Sequence, residues 1–178
     1  MITALALALL AVQAELPPVA NTPPAQAPAD GCSGVLYTQF DFWLGEWNVY
    51  TRTGGQLVAL SSVTKINGNC ALRESWVPVK GASGGTLSAP DMLTARWHQY
   101  WTDSLGNKVD LEGGLAFGNM ILAGEWRGAG NQRAKLLRVT YTRLDADSVR
   151  QLGEVSDDEG LTWQMSHDYL YLRTKPAD

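Results

Sequence analysis

Apolar and polar residues alternate in short runs along most of the chain beyond residue 46, and clusters of Gly, Asn and Asp separate these runs. A period of two is typical of β-strands that bury one face, and the separating residues are those that tight turns favour. We interpret nine runs as strands: residues 47–52, 57–66, 70–77, 92–102, 108–112, 115–126, 134–144, 148–156 and 162–173. Their regular spacing predicts an all-β fold.

The short connections between consecutive runs favour an antiparallel up-and-down barrel of about nine or ten strands. A two-sheet sandwich is the main alternative. Helical periodicity is weak throughout this part, so we expect only one short helical turn, within residues 33–44, before the first strand. The Gly- and Ser-rich residues 80–85 predict a flexible loop, and Gly113 and Gly114 are expected to break or bend a strand.

The first residues of the chain differ from the rest. Residues 2–12 are apolar and uncharged, and they are too few to cross a bilayer as a helix, which takes about 20 residues. Their length suits a signal peptide, and small residues permit cleavage after Ala14, so residues 1–14 are predicted to be a signal peptide. The alternative is an apolar tail. A signal peptide predicts a periplasmic or secreted protein with no stable membrane anchor after cleavage.

Composition also divides the remainder of the chain. Residues 15–31 are rich in Pro and Ala and cannot build a core, so they are predicted to be a linker. The barrel domain is then expected over residues 32–174, followed by a short tail at residues 175–178.

The chain has two cysteines, Cys32 and Cys70. In an exported protein the default expectation is a disulfide, and two buried free thiols are the alternative. Neither cysteine has a histidine close by in the sequence, so a metal site of the Cys/His type has no support, and no metal is predicted.

Charge and composition argue against one class of partner. The 178 residues carry a formal net charge of −4 and contain no basic run of the kind that tracks phosphates, so nucleic acid is not an expected partner. The seven Trp, six Tyr and 18 Gly instead agree with a β-rich fold that has many tight turns.

Two local motifs add detail to the predicted barrel. Gly45 and Trp47 begin the first strand, where a glycine permits a tight turn and the Trp ring can close one end of a ligand-sized cup.

Residues 156–163 match the Ser-x-Asp-x-Gly-x-Thr-Trp pattern of an Asp box. We interpret it as a structural hairpin in which Asp158 accepts hydrogen bonds from turn amides, Gly160 has a positive φ and Trp163 packs beneath the turn.

Strand alternation identifies the side chains that would line the cup. One face of the run near residue 100 carries Trp97, Gln99 and Trp101, and the neighbouring runs add three more inward positions. The resulting candidates for a ligand pocket are Glu74, Trp76, Trp97, Gln99, Trp101 and Gln151. Aromatic walls with a few polar groups are typical of small-molecule pockets, whereas a solid core of Trp residues is the alternative.

Few residues are candidates for a catalytic or cofactor-binding role. His98 is a seventh pocket candidate, either as a general base or as a haem ligand, although its neighbours Arg96 and Tyr100 fit an exposed face equally well. The sequence offers no second well-placed haem ligand, so no cofactor is predicted. His167 is a weaker candidate for a role. The sequence contains no nucleophile elbow and no phosphate-binding Gly loop, so neither reaction type has support.

The ends of the predicted domain resemble the calycin group, which includes lipocalins, fatty-acid-binding proteins and nitrobindin-like barrels. Gly45 and Trp47 start the first strand, and Tyr171, Leu172 and Arg173 end the last one. In calycins a Trp of the first strand packs beneath an Arg of the last strand. The resemblance therefore implies that Arg173 stacks on Trp47, a structural cation–π contact of about 1 kcal/mol. The haem-ligand segment of nitrobindin-like proteins has no match here.

A longer pattern resembles a family of exported bacterial proteins of unknown function with a calycin-like barrel. The matching segments are residues 40–47, 70–76, 96–106 and 149–151, together with the Asp-box hairpin, and they span most of residues 39–173. The resemblance implies a fold and a compartment but no reaction.

These observations leave three hypotheses open. The first is an exported barrel that binds a small apolar or aromatic molecule. The second is a barrel enzyme, of the isomerase or hydrolase type, that uses Glu74 or His98 as its acid or base. The third is a structural or interaction protein of the envelope, and in each case the chain is expected to be a monomer or a homodimer.

Overall fold

The strands of this protein close into one antiparallel barrel. The computed structural model describes residues 32–126 and 134–174. A short helix α1 (Val35–Thr38) and a 3₁₀ turn (Asp41–Trp43) precede the sheet. The strands are β1 (Gly45–Thr51), β2 (Leu57–Ile66), β3 (Ala71–Pro78), β4 (Gly84–Pro90), β5 (Trp97–Asp103), β6 (Lys108–Ala116), β7 (Asn119–Trp126), β8 (Lys135–Arg143), β9 (Ser148–Ser156) and β10 (Gln164–Arg173).

Each strand pairs with its neighbours in the chain, and β1 pairs with β10 to close the sheet. The β1–β10 seam runs from Trp47 opposite Arg173 to Thr51 opposite Tyr169. The predictions of an all-β fold, of up-and-down barrel order and of one short helical turn before the first strand are therefore confirmed.

Strand β4 lies partly in a segment that we expected to be a loop. Its first residues, Gly84 and Gly85, occupy positions where strands come unusually close together. A Cβ atom on Gly85 would lie 2.3 Å from the carbonyl oxygen of Glu74, and one on Gly84 would lie 2.6 Å from that of Thr102. These glycines permit close backbone approach inside a sheet and do not signal flexibility.

Two further boundaries differ from the sequence interpretation. The run predicted to begin at residue 92 starts as a strand only at Trp97, because Asp91 and Arg96 close a turn through an N–H···O bond of 2.7 Å. Gly113 and Gly114 continue β6 without a break. A Cβ atom on Gly113 would lie 2.0 Å from the carbonyl oxygen of Ile121, so this glycine also marks a close strand approach.

Several expectations lie outside the described residues. They are the signal peptide, the linker and the short tail. No helix within the described ranges has the length and apolar character that spanning a membrane requires.

The helical residues before β1 fill one end of the barrel; we call residues 35–43 the plug segment. Phe40 and Trp43 are completely buried, and their rings stack with centroids 5.0 Å apart. Trp43 also packs against Tyr141 of β8 at 4.8 Å, and its carbonyl accepts a hydrogen bond of 3.0 Å from Nε1 of Trp47. The sequence predicted that the Trp47 ring closes one end of the barrel. In the structure Phe40, Trp43 and Trp47 together close that end.

Arg173 fixes the start of β1 from the end of β10. Its guanidinium carbon lies 4.3 Å from the centroid of the Trp47 ring, so the stack implied by the resemblance is present. One guanidinium nitrogen donates to the carbonyl of Leu44 at 3.1 Å. Gly45 has a φ of +134°, and a Cβ atom there would lie 2.1 Å from the guanidinium. Glycine is required at this position both for its backbone and for the space.

A disulfide joins Cys32 to Cys70, which confirms the predicted bond. It ties the chain before the plug segment to the residue that precedes β3. The backbone N–H of Cys32 donates to the carbonyl of Gly68 at 2.9 Å, so this attachment is also hydrogen-bonded.

The Asp-box residues form the hairpin between β9 and β10. The side chain of Asp158 accepts hydrogen bonds from the backbone N–H and the hydroxyl of Thr162, at 2.8 and 2.6 Å. Gly160 has a φ of +90°, and its carbonyl accepts a hydrogen bond of 3.0 Å from Nε1 of Trp163. Arg138 of β8 covers the Trp163 ring at 4.1 Å. The contacts are structural, as the sequence indicated.

Candidate functional site

A cavity of about 300 Å³ lies inside the barrel, in the half away from the plug segment. It is lined by inward-facing side chains from eight of the ten strands. They are Glu74, Trp76, Thr86, Gln99, Trp101, Val109, Leu111, Trp126, Leu137, Val139, Tyr141, Gln151, Ser166, His167, Tyr169 and Tyr171.

Glu74 is the carboxylate of this cavity. It is only 3% exposed, and its Oε1 accepts hydrogen bonds from the hydroxyls of Ser61 at 2.8 Å and Tyr171 at 3.3 Å. Burial raises the pKa of Glu74 to about 7, because desolvation penalises the charged form more than these hydroxyls stabilise it. Glu74 therefore exchanges its proton in the neutral pH range.

Thr86 faces Glu74 across the β3–β4 pair. Its hydroxyl lies close enough to help lower the pKa of Glu74, but it has no partner of good hydrogen-bond geometry among the described residues. A buried hydroxyl without a full hydrogen bond is costly, so this position has donor and acceptor capacity left for a ligand.

A second polar group forms the floor of the cavity. Tyr141 donates a hydrogen bond of 3.0 Å to Oε1 of Gln99, and Nε2 of Gln99 donates one of 3.0 Å to the hydroxyl of Ser88. Burial, together with the negative charge of Glu74, raises the pKa of Tyr141 well above its ordinary value. The Tyr141 hydroxyl is therefore a fixed neutral donor.

The walls of the cavity are aromatic. Trp76 packs edge-on against Trp101 with ring centroids 6.3 Å apart, and it lies 5.8 Å from Tyr169 and 6.4 Å from Tyr171. Trp126 adds a further indole from β7. These contacts place flat, polarisable surfaces around the space above Glu74.

His167 also lines this cavity, although the sequence indicated only a weak candidate for a functional role at this residue. Its ring stacks on Tyr169 with centroids 4.8 Å apart, and burial lowers the pKa of His167 to about 4 against a partial opposing effect of Asp168. The imidazole is therefore neutral at pH 7. Gly153 lies opposite in β9, where a Cβ atom would stand 2.0 Å from the ring. A glycine at an inward position of the run was the available signal.

We expect Gly153→Ala to displace the His167 ring, because the added methyl group would overlap it. The ring would move towards the barrel mouth, and the pKa of His167 should rise from about 4 towards its ordinary 6.5 as hydration is regained. An NMR titration of the histidine ring protons measures this shift. Gly114→Ala is the matched control, since a Cβ atom there meets nothing within 4 Å. An unchanged His167 titration in Gly153→Ala would contradict this packing.

The structure brings together five of the seven pocket candidates. Glu74, Trp76, Gln99, Trp101 and Gln151 all line the cavity. Their role in ligand binding stays a prediction.

The other two candidates lie elsewhere. Trp97 is completely buried at the plugged end, where it packs edge-on against Phe40 and donates from Nε1 to Gln39 at 3.1 Å. His98 lies on the outer face of β5 and is exposed, so the prediction that it lines the pocket is wrong. The cause is the strand period of two, which turns His98 outward between two buried neighbours.

Three lining tyrosines were missed by the sequence reasoning. Tyr141, Tyr169 and Tyr171 stand at inward positions of β8 and β10, and alternation within those two runs was the signal that could have found them. Over residues 32–126 and 134–174, no three His, Cys, Asp or Glu residues are grouped closely enough to hold a metal ion.

No known protein-family model matches this chain, and no curated protein matches it. The structure itself defines the class: a closed ten-stranded antiparallel barrel, consistent with a calycin-like fold, whose interior holds an aromatic cavity.

Proposed function

We propose that this protein binds a small, largely apolar or aromatic molecule inside its barrel. The observation that carries the proposal is the cavity of about 300 Å³ between three Trp side chains and a polar floor. An eight-stranded barrel is just wide enough to be filled by its own side chains, and a ten-stranded one is wider. The interior is therefore only partly filled, and apolar walls with a few polar groups are what ligand pockets offer.

The size of the cavity limits the ligand. Ligand pockets commonly measure about 300–1,000 Å³, so this one is at the small end. It corresponds to the liquid volume of about ten water molecules. A molecule with one or two fused rings fits, whereas a long acyl chain would have to extend beyond the cavity.

The test of binding is a variant that fills the cavity. Val139 is 5% exposed and lines it, so Val139→Phe would occupy part of the ligand space. We expect its affinity for 1-naphthalenemethanol, measured by calorimetry, to fall at least tenfold. Leu60→Phe adds the same ring at a residue that is 49% exposed and should leave the affinity unchanged. Equal affinity in both variants would place the probe outside the cavity and contradict the proposal.

An acid–base enzyme is the second candidate, and Glu74 is the observation that favours it. A buried carboxylate with a pKa of about 7, beside the hydroxyl of Tyr171, has the properties of a general base with a neighbouring donor. The exposed His98 no longer supports this hypothesis. Recovery of a bound ligand in chemically unchanged form would favour the binding role.

The disulfide supports a proposal about the compartment. The Cys32–Cys70 disulfide fits a protein of an oxidising compartment. We therefore propose a periplasmic or secreted protein with a cleaved signal peptide, a member of an exported bacterial barrel family. We also propose that the protein is a monomer or a homodimer and that nucleic acid is not its partner. A structural or interaction role in the envelope is the third hypothesis for its function.

A further inference from the structure

We propose that the ligand of this cavity is an organic cation, a protonated amine or nitrogen heterocycle joined to a flat aromatic group, whose positive nitrogen pairs with Glu74. The proposal rests on the binding function proposed above and names its ligand class. It is carried by the charges, the ring surfaces and the open hydrogen-bonding capacity of the lining residues.

The charges of the lining are one-sided. Among the described residues that line the cavity, Glu74 is the sole acidic one, and none is Lys or Arg. Burial keeps His167 neutral at pH 7, so it supplies no positive charge there. A buried carboxylate is normally paired with a cation. Here the described residues provide only hydroxyls: Ser61 and Tyr171 donate to Oε1, and that of Thr86 lies close enough to help lower the pKa of Glu74.

The carboxyl group retains capacity for a ligand. An ionised carboxylate offers about four lone-pair positions, and these two hydrogen bonds occupy one oxygen. Thr86 stands beside it with a buried hydroxyl that lacks a well-aligned partner. An ammonium group that enters the cavity would donate to Glu74 and could also donate to Thr86, which satisfies both sets of polar atoms.

The aromatic walls of the cavity also favour a positively charged ligand. The faces of aromatic rings carry negative electrostatic potential, and desolvated cation–π contacts are among the stronger ones. Trp76, Trp101 and Tyr169 surround the space near Glu74. An anionic ligand would meet the ring faces and a carboxylate, with no compensating cation among the described lining residues, so fatty acids and other carboxylates are disfavoured.

Three probes with one carbon frame test this proposal: 1-naphthylmethylamine, 1-naphthalenemethanol and 1-naphthoate. They place a cation, a neutral hydroxyl and an anion on the same ring system. At pH 8 we expect the amine to bind at least tenfold more tightly than the alcohol and the naphthoate to bind most weakly, as measured by calorimetry. Glu74→Gln should remove the preference for the amine. Glu46→Gln, which removes an exposed carboxylate on β1, should retain it.

The pH dependence of the unmodified protein gives a second readout. The amine requires ionised Glu74, so its affinity should be about thirtyfold lower at pH 5.5 than at pH 8, whereas that of the alcohol should stay constant. The other titratable groups among the described lining residues do not change charge in this range. His167 has a pKa of about 4, and burial raises the pKa of Tyr141, Tyr169 and Tyr171 above 10.0.

The outcomes separate the two proposals. Equal binding of the three probes, or an amine affinity that does not depend on pH, would overturn the cation proposal and leave the binding function intact. Binding of none of the three would overturn the binding function itself. If Glu74→Gln does not fold, the pH profile of the wild-type protein decides the question alone.

Discussion

Trp43→Ala should lower the free energy of unfolding by about 3–5 kcal/mol, the range for loss of a fully buried large aromatic side chain. Trp43 is completely buried, stacks on Phe40 and packs on Tyr141. Its removal would leave a void between the plug segment and the barrel interior, and neighbouring rings could fill it only in part. Urea unfolding followed by circular dichroism measures the change.

Phe117→Ala is the matched control for this prediction. Phe117 is 99% exposed in the β6–β7 turn, so its removal should change the unfolding free energy by less than about 0.5 kcal/mol. If the two variants lose similar stability, the plug segment does not stabilise the barrel in the way that its burial indicates.

Glu74→Gln is expected to change the pH dependence of stability. In the wild-type protein, Glu74 and His167 contribute to this pH dependence with opposite signs. The pKa of Glu74 rises from 4.5 to about 7 on folding, so the unfolded chain loses this proton first, and stability declines as the pH rises through that interval. The pKa of His167 falls from 6.5 to about 4, so the unfolded chain gains a proton on acidification. That contribution to stability increases as the pH rises from 4 to 6.5.

The Glu74 contribution amounts to about 3 kcal/mol, and that of His167 is smaller because the ring is partly exposed. The two oppose each other between pH 4.5 and 6.5 in the wild type, and the smaller His167 contribution offsets only part of that of Glu74. Glu74→Gln removes one of them, so its stability relative to the wild type should improve by about 3 kcal/mol between pH 4 and pH 8. Chemical denaturation at a series of pH values measures this difference. A difference between Glu74→Gln and the wild type that stays constant with pH would refute the opposing effects.

The alternation of side chains predicted much of the site because it needs only the local strand period. Glu74 and Trp76, and likewise Gln99 and Trp101, share inward faces in the sequence and in the barrel. The same rule places His98 on the outer face, since it stands between two inward residues.

What alternation could not provide was the position along the barrel axis. Trp97 and Trp101 share one face, but Trp97 meets the plug segment and Trp101 meets the cavity. That distinction depends on where the plug segment folds back, which is a tertiary property. His167 required knowledge of the β9–β10 register, which shifts at a bulge between Met165 and His167.

The glycine-rich segments were ambiguous for a similar reason. Gly85 and Gly113 lie within 2.3 Å and 2.0 Å, measured from an added Cβ atom, of a neighbouring strand's carbonyl oxygen. A sequence shows that no side chain is present at such a position, but not whether the space is taken by solvent or by another strand. Turn chemistry and close strand approach therefore look alike until the partner strand is known.

The β1–β10 seam has a consequence for how the molecule is completed during its synthesis. Nine of the ten strand pairings join consecutive strands and can form as the chain emerges, whereas the seam waits for β10. Tyr171, the donor to Glu74, and Arg173, the partner of Trp47, both arrive with that strand. Until then β1 and β9 present unpaired edges that invite association with other chains. The cavity is thus complete only in the closed barrel, because it gains its last wall at the step that removes the exposed edges.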